Sequence, residues 1–297
     1  MKSHNSHSKR ISRLFSLCRP SKRSIWDPPA YEESQEAHKS IHPQADPREL
    51  PPDSGDADCR YAFLKDFDTV FLVDDSSSMT ARDRNSCKTR WQEAEEAIAA
   101  IAPICTQYDQ DGIDISFLNH QGSSYSNITT AHDVAEIFHR VRPRGSTPVG
   151  RRLLEILTPY LRRVEQMQAS RREDGTLANA ALYVKPINVI TITDGEFTDD
   201  AESIIVDVAR KLDKIHALPW QVGIQFFQIG DDQGVQRYLQ ELDDDLGKWC
   251  RDERLRDIVD TLPWKGKKGT SLDADGILKC VLGAVNKKLD RRTAHEC

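Results

Sequence analysis

Five apolar or β-branched residues, Thr69-Val70-Phe71-Leu72-Val73, run without a break and stop at Asp74-Asp75-Ser76-Ser77-Ser78. An unalternating apolar run of this length marks a strand covered on both faces, as in a parallel sheet. Ile187-Asn188-Val189-Ile190-Thr191-Ile192-Thr193 is a second buried strand, and it stops at Asp194-Gly195. In open α/β sheets ligands bind outside the carboxyl ends of the strands. A lone strand-ending Asp-Gly is ordinary turn chemistry. Two strands ending in acids at one sheet edge argue for a site. The donor atoms of Asp74 to Ser78 are all hard oxygens, with no His or Cys among them, which suits Mg²⁺ or Mn²⁺ rather than zinc.

Around these two strands the pattern alternates between helix and strand. An Ala- and Glu-rich helix is expected over 89–108, with Trp91, Ala94, Ile98, Ile101 and Ala102 as its apolar stripe and Pro103 kinking or ending it. Strands follow at 113–118 and, as a short edge strand with hydroxyls facing water, at 125–129. Helices are expected at 134–141 and 149–167, the latter preceded by Thr147-Pro148. Taken alone, this pair reads as an N-cap and first helical residue, but in the company of Asp74, Ser76, Ser78 and Asp194 the Thr reads as a site residue on its loop. A polar loop covers 168–179. A helix at 199–214, a strand at 222–229, a capped turn at Gly230-Asp231-Asp232 and a helix at 233–242 come next. Asp243, Asp244 and Asp245 read as a solvated acidic run, followed by a strand at 258–262 and a closing helix at 273–289. The fold class is therefore α/β: a doubly wound, mostly parallel, six-stranded, Rossmann-like sheet with helices on both faces.

Asp74-x-Ser76-x-Ser78 resembles the first part of the metal-ion-dependent adhesion site (MIDAS) of von Willebrand factor A (VWA) domains. That signature is completed in the family by a Thr on a second loop and an Asp after a later strand. The matching positions here are Thr147, in Gly145-Ser146-Thr147-Pro148-Val149-Gly150, and Asp194. Arg90-Trp91-Gln92-Glu93-Ala94 and the late Ile277-Leu278-Lys279 and Gly283-Ala284 resemble fungal VWA proteins in particular. Ser77 stands where many relatives have Gly. The resemblance implies that Ser76, Ser78 and Thr147 supply neutral hydroxyl oxygens to Mg²⁺ or Mn²⁺. Asp74 and Asp194 bind the ion directly or through water. A partner's Asp or Glu then completes the coordination, in a protein-binding module without enzymatic activity. It covers roughly residues 65–290 and places a VWA domain at 61–297.

Residues 1–60 read differently. Ser, Pro, His and charged residues dominate them, a composition that cannot bury enough apolar area to offset its ordering entropy, so a disordered tail is expected. Within it, Asp27-Pro28-Pro29-Ala30-Tyr31 is a Pro-Pro-x-Tyr peptide of the kind that docks in the aromatic groove of WW domains. Pro28, Pro29 and Tyr31 are its candidate partner-binding residues, and a WW-containing ubiquitin ligase is the corresponding partner. Residues 1–24 carry seven bases and no acid, leaving the remainder to hold the whole net charge of −6 and seven negative charges more. That remainder suits no nucleic-acid surface. Ile11, Leu14, Phe15 and Cys18 fall on one helical face among the bases of 9–23. So short a segment reads first as a solvated basic arm, ahead of membrane-surface contact or mitochondrial targeting. Seven Cys without close pairs imply reduced thiols, hence a cytoplasmic chain, with nuclear or membrane-peripheral placement as alternatives.

The enzyme alternative is a metal-dependent phosphatase or hydrolase using Asp74 as nucleophile, in the manner of haloacid dehalogenases. That chemistry places a second Asp two residues on, where this chain has Ser76. The serines lack a Gly-x-Ser-x-Gly elbow, and no Gly-rich turn for a dinucleotide follows the first strand.

Overall fold

β1 (Asp68–Val73) lies inside a six-stranded sheet of order β3-β2-β1-β4-β5-β6 in a computed structural model that describes residues 65–82, 87–120, 124–250 and 254–263. β2 (Ile113–Phe117), β4 (Ile187–Thr193), β5 (Val222–Gln228) and β6 (Val259–Pro263) continue the sheet in parallel, and only the edge strand β3 (Tyr125–Ile128) is antiparallel, to β2. The α/β class and its mostly parallel sheet are as the alternation of patterns predicts. Pro28, Pro29, Tyr31, the rest of the 1–60 tail and the closing helix at 273–289 lie outside the described residues.

Period-two alternation divides each buried strand between two cores. Val70, Leu72, Val189, Ile224 and Phe226 pack against α3 (Val149–Ala169), α4 (Ala201–Lys214) and α5 (Gln233–Trp249). Phe71, Val73, Ile115, Ile190 and Ile192 pack against α1 (Arg90–Tyr108) and α2 (Ala131–Arg140). Trp91 belongs to this second core, its ring centroid 4.4 Å from that of Phe138 and 5.7 Å from that of Phe117.

The chain leaves β1 toward β2 on one side, then returns to build β4 on the other side of β1. The loops after β1 and β4 therefore diverge to opposite faces, and a crevice opens between them at the carboxyl ends of the strands. This is the topological switch point at which doubly wound sheets bind ligands.

Several local details refine the expectations. α1 reaches Tyr108, the end expected for it, so of the two roles open to Pro103 an early end is excluded. Buried Ala102 and Cys105 hold its last turns, and the Thr106 hydroxyl donates to the Ala102 carbonyl at 2.8 Å. α5 extends seven residues beyond the expected end, because Leu242 and Leu246 continue its buried stripe across the acidic run. Asp243 in that run is more than solvated: its Oδ2 accepts from the backbone N–H of Thr261 in β6 at 3.0 Å. Pro148, not Thr147, stands at the N-cap of α3.

Candidate functional site

Asp74 follows β1 directly and is fully buried. Both of its oxygens are held: Oδ1 accepts from the Ser76 amide at 2.8 Å and Oδ2 from the Thr193 hydroxyl at 2.8 Å. Thr193 is the last residue of β4, so the acid that ends one central strand is anchored by the end of its neighbour. The chain then turns through Ser76 into a single 3-10 turn, Ser77–Thr80, pinned by the fully buried Met79. Within that bend the Ser76 and Ser78 hydroxyl oxygens lie 2.9 Å apart. The Ser78 hydroxyl donates to Oδ1 of Asp194 at 2.7 Å, joining the loops after β1 and β4 across the switch point.

Thr147 arrives on a third loop. Its hydroxyl oxygen lies 4.0 Å from where a side-chain carbon on Gly195 would stand, and its carbonyl accepts from the Thr198 amide at 3.0 Å. Taken alone, Thr147-Pro148 reads as a cap, but the cap of α3 comes from elsewhere. Asp199 Oδ1 accepts from the Gly150 amide at 2.9 Å and Oδ2 from the Arg151 amide at 2.7 Å. With those amides already served by a carboxylate at the positive end of the helix dipole, the Thr147 side chain is released from capping.

Asp75 is the residue that the sequence did not single out. Its carboxylate accepts from the Asn119 amide at 2.7 Å, the Asn119 side chain at 3.1 Å and the His120 amide at 2.9 Å, just after β2. Its carbonyl accepts from the Arg144 amide, and Asn119 Nδ2 donates to the Ser146 carbonyl at 2.7 Å. One acid thus fixes the Gly145-Ser146-Thr147 loop relative to Ser76. Gly145 has φ +89°, and a side-chain carbon there would come within 2.8 Å of Asn119 Oδ1, so the close approach needs glycine. The sequence signal was the doubled acid, Asp74-Asp75, but nothing in it says which loop the second acid would hold.

The structure thus joins Asp74, Ser76, Ser78 and Asp194 in one hydrogen-bonded group at the switch point, with Thr147 beside Gly195. Ser76, Thr147, Asp74 and Asp194 are buried, while Ser77 and Ser78 are exposed and form its open side. Among the described residues no three His, Cys, Asp or Glu side chains gather as a metal-holding group; this site has two carboxylates and otherwise hydroxyls. The oxygen set fits a hard cation. Adjacent ligands of an octahedral Mg²⁺ with bonds of about 2.1 Å stand about 3.0 Å apart, and the Ser76 and Ser78 oxygens, hydrogen-bonded at 2.9 Å, are already close to that separation.

Burial pushes the Asp74 carboxyl up to about 6, against the hydrogen bonds of Ser76 and Thr193, with the nearby Asp194 adding to the rise. The unfolded chain ionises this group at its ordinary value, so the folded chain binds the proton more tightly and stability falls as pH rises from about 4 through about 6. The full penalty, roughly 3 kcal/mol from the shift at 1.36 kcal/mol per pH unit, is present above pH 6 without a cation. Asp74→Asn should therefore reduce the pH dependence of urea denaturation between pH 4.5 and 7.5 in chelator, leaving the part due to Asp109, which burial also pushes up to about 6. An unchanged slope would remove Asp74 as its source.

No protein-family model matches this sequence, and no curated protein sequence does either. Among solved structures, the manganese-loaded TRAP protein of Plasmodium vivax is similar over 75% of this chain and 74% of its own, at 16% identity and a TM-score of 0.39.

Proposed function

We propose that this chain is a VWA-type protein-interaction module of the fungal kind, with a divalent-cation site formed by Asp74, Ser76, Ser78, Thr147 and Asp194. The observation that carries this reading is the Ser78 hydroxyl, which meets both the Ser76 hydroxyl and Asp194 Oδ1 at the switch point. Ser76, Ser78 and Thr147 would hold Mg²⁺ or Mn²⁺ through neutral oxygens, with Asp74 and Asp194 bound directly or through water. When bound, the ion supplies an electrophilic position for an Asp or Glu side chain of a protein partner. Asp75 and Asn119 keep the Thr147 loop in register with the serines, and exposed Ser77 and Ser78 leave the approach open.

The buried state of Asp74 speaks against the phosphatase alternative. A nucleophile has to reach the substrate, and this carboxylate is enclosed with both oxygens engaged. No covalent step is required of any side chain in the interaction reading. Among the described residues no helix is long and apolar enough to cross a membrane.

Affinity capture with the full chain tests the proposal. Bound partners should be lost on adding chelator, and Thr147→Ala should lose the same set in the presence of Mg²⁺. Capture that survives both treatments would exclude a metal-bridged contact. The Pro28-Pro29-x-Tyr31 peptide extends the reading to an adaptor that brings a WW-domain ligase to its cargo. Tyr31→Ala should then abolish pull-down by an isolated WW domain, and undiminished binding would end that extension.

A further inference from the structure

Arg90 opens α1, and its side chain reaches to the carboxyl ends of the neighbouring strands. Its Nη1 donates to Oδ2 of Asp194 at 2.7 Å, forming an ion pair in which the Arg90 side chain is 18% exposed and the Asp194 side chain fully enclosed. The guanidinium lies over Gly230, just after β5. Gly230 has φ +91°, and a side-chain carbon there would stand 3.0 Å from Nε and 3.2 Å from Cζ and Nη2 of Arg90. The seat is thus built on both sides: an acid that takes one nitrogen, and a glycine that lets the planar group lie close against the backbone. Asp194 is divided as a result. Oδ2 faces a fixed cation, and Oδ1 faces Ser78 and the rest of the oxygen cluster.

We propose that Arg90 is a positioning residue that sets the charge of this site, acting as an internal cation that shares Asp194 with the divalent ion. The inference rests on the metal reading above and adds a prediction about affinity. With Arg90 in place, the two acids and one base leave the pocket a net charge of only −1. The divalent ion is held less tightly than two unshared carboxylates would hold it, and more of its positive charge remains for an incoming acid. Without Arg90, Asp194 is an enclosed carboxylate lacking its cation, which destabilises the metal-free fold and favours any ion that can replace the lost charge.

The test is Mn²⁺ titration of the full chain, followed by electron paramagnetic resonance, together with melting in chelator. Arg90→Gln should bind Mn²⁺ about tenfold more tightly than wild type, as expected when a unit positive charge beside the ion is removed, and should melt lower in chelator. Gly230→Ala, which crowds the guanidinium without removing it, should tighten Mn²⁺ binding by a smaller amount and serves as the affinity test if the Gln variant does not fold; its melting is not diagnostic, because alanine at φ +91° is strained in any case. Arg90→Lys, which keeps the charge, should stay nearer to wild type in Mn²⁺ affinity than the Gln variant. Unchanged or weaker Mn²⁺ affinity in both Arg90→Gln and Gly230→Ala would overturn the inference. Failure of the underlying metal reading is separate, because wild type itself would then bind no Mn²⁺.

Discussion

A carboxylate placed at the end of a buried strand has to find hydrogen-bond donors in whatever chain lies near it, because an unpaired charge in that position costs several kcal/mol. β1 ends in two such acids, and their demands arrange the surrounding loops. Asp74 takes the Ser76 amide and the Thr193 hydroxyl, which fixes the first loop against β4. Asp75 takes the amides of Asn119 and His120, which fixes it against the end of β2. The serine hydroxyls are left between these anchors, and Asp194 comes to them because its strand is the direct neighbour of β1. Structure and chemistry meet in one fact: the site occupies the place where the sheet's winding reverses.

Most of the sheet was legible because its strands are unbroken apolar runs whose length and termination are written locally. Ile187–Thr193 is placed to the residue, and 69–73 and 222–229 to within one residue at an end. The helix ends were less legible, since they depend on partners far away. The α3 cap is the clearest case. Thr147-Pro148 has the local look of a cap, yet Asp199, 49 residues beyond Gly150, supplies the carboxylate. The same tertiary rule hid Asp75, whose partners come from the loop after β2, and Arg90, whose partner lies 104 positions away. The five oxygen-bearing residues were found because their types and order resemble a known motif. Arg90 stands inside a stretch that shares this resemblance, but nothing in that stretch says that its side chain would reach Asp194, and Asp75 and Asn119 carry no signature at all.

Acidity alone does not mark the site. A second group of acids, Asp68, Asp109, Asp111 and Asp114, lines a cleft of about 550 Å³ beside α3, near the opposite ends of the strands. Lys185 neutralises part of it, with Nζ 2.7 Å from Asp109 and 3.5 Å from Asp68. The switch-point cluster differs in kind: neutral hydroxyl oxygens stand beside its carboxylates, two of them spaced as adjacent ligands of a small cation.

Anomalous diffraction from crystals soaked in Mn²⁺ addresses the central claim most directly. One strong peak bounded by Ser76, Ser78, Thr147, Asp74 and Asp194 is expected. A peak confined to the Asp68–Asp109–Asp111 cleft, or none at the ends of β1 and β4 at saturating Mn²⁺, would contradict it.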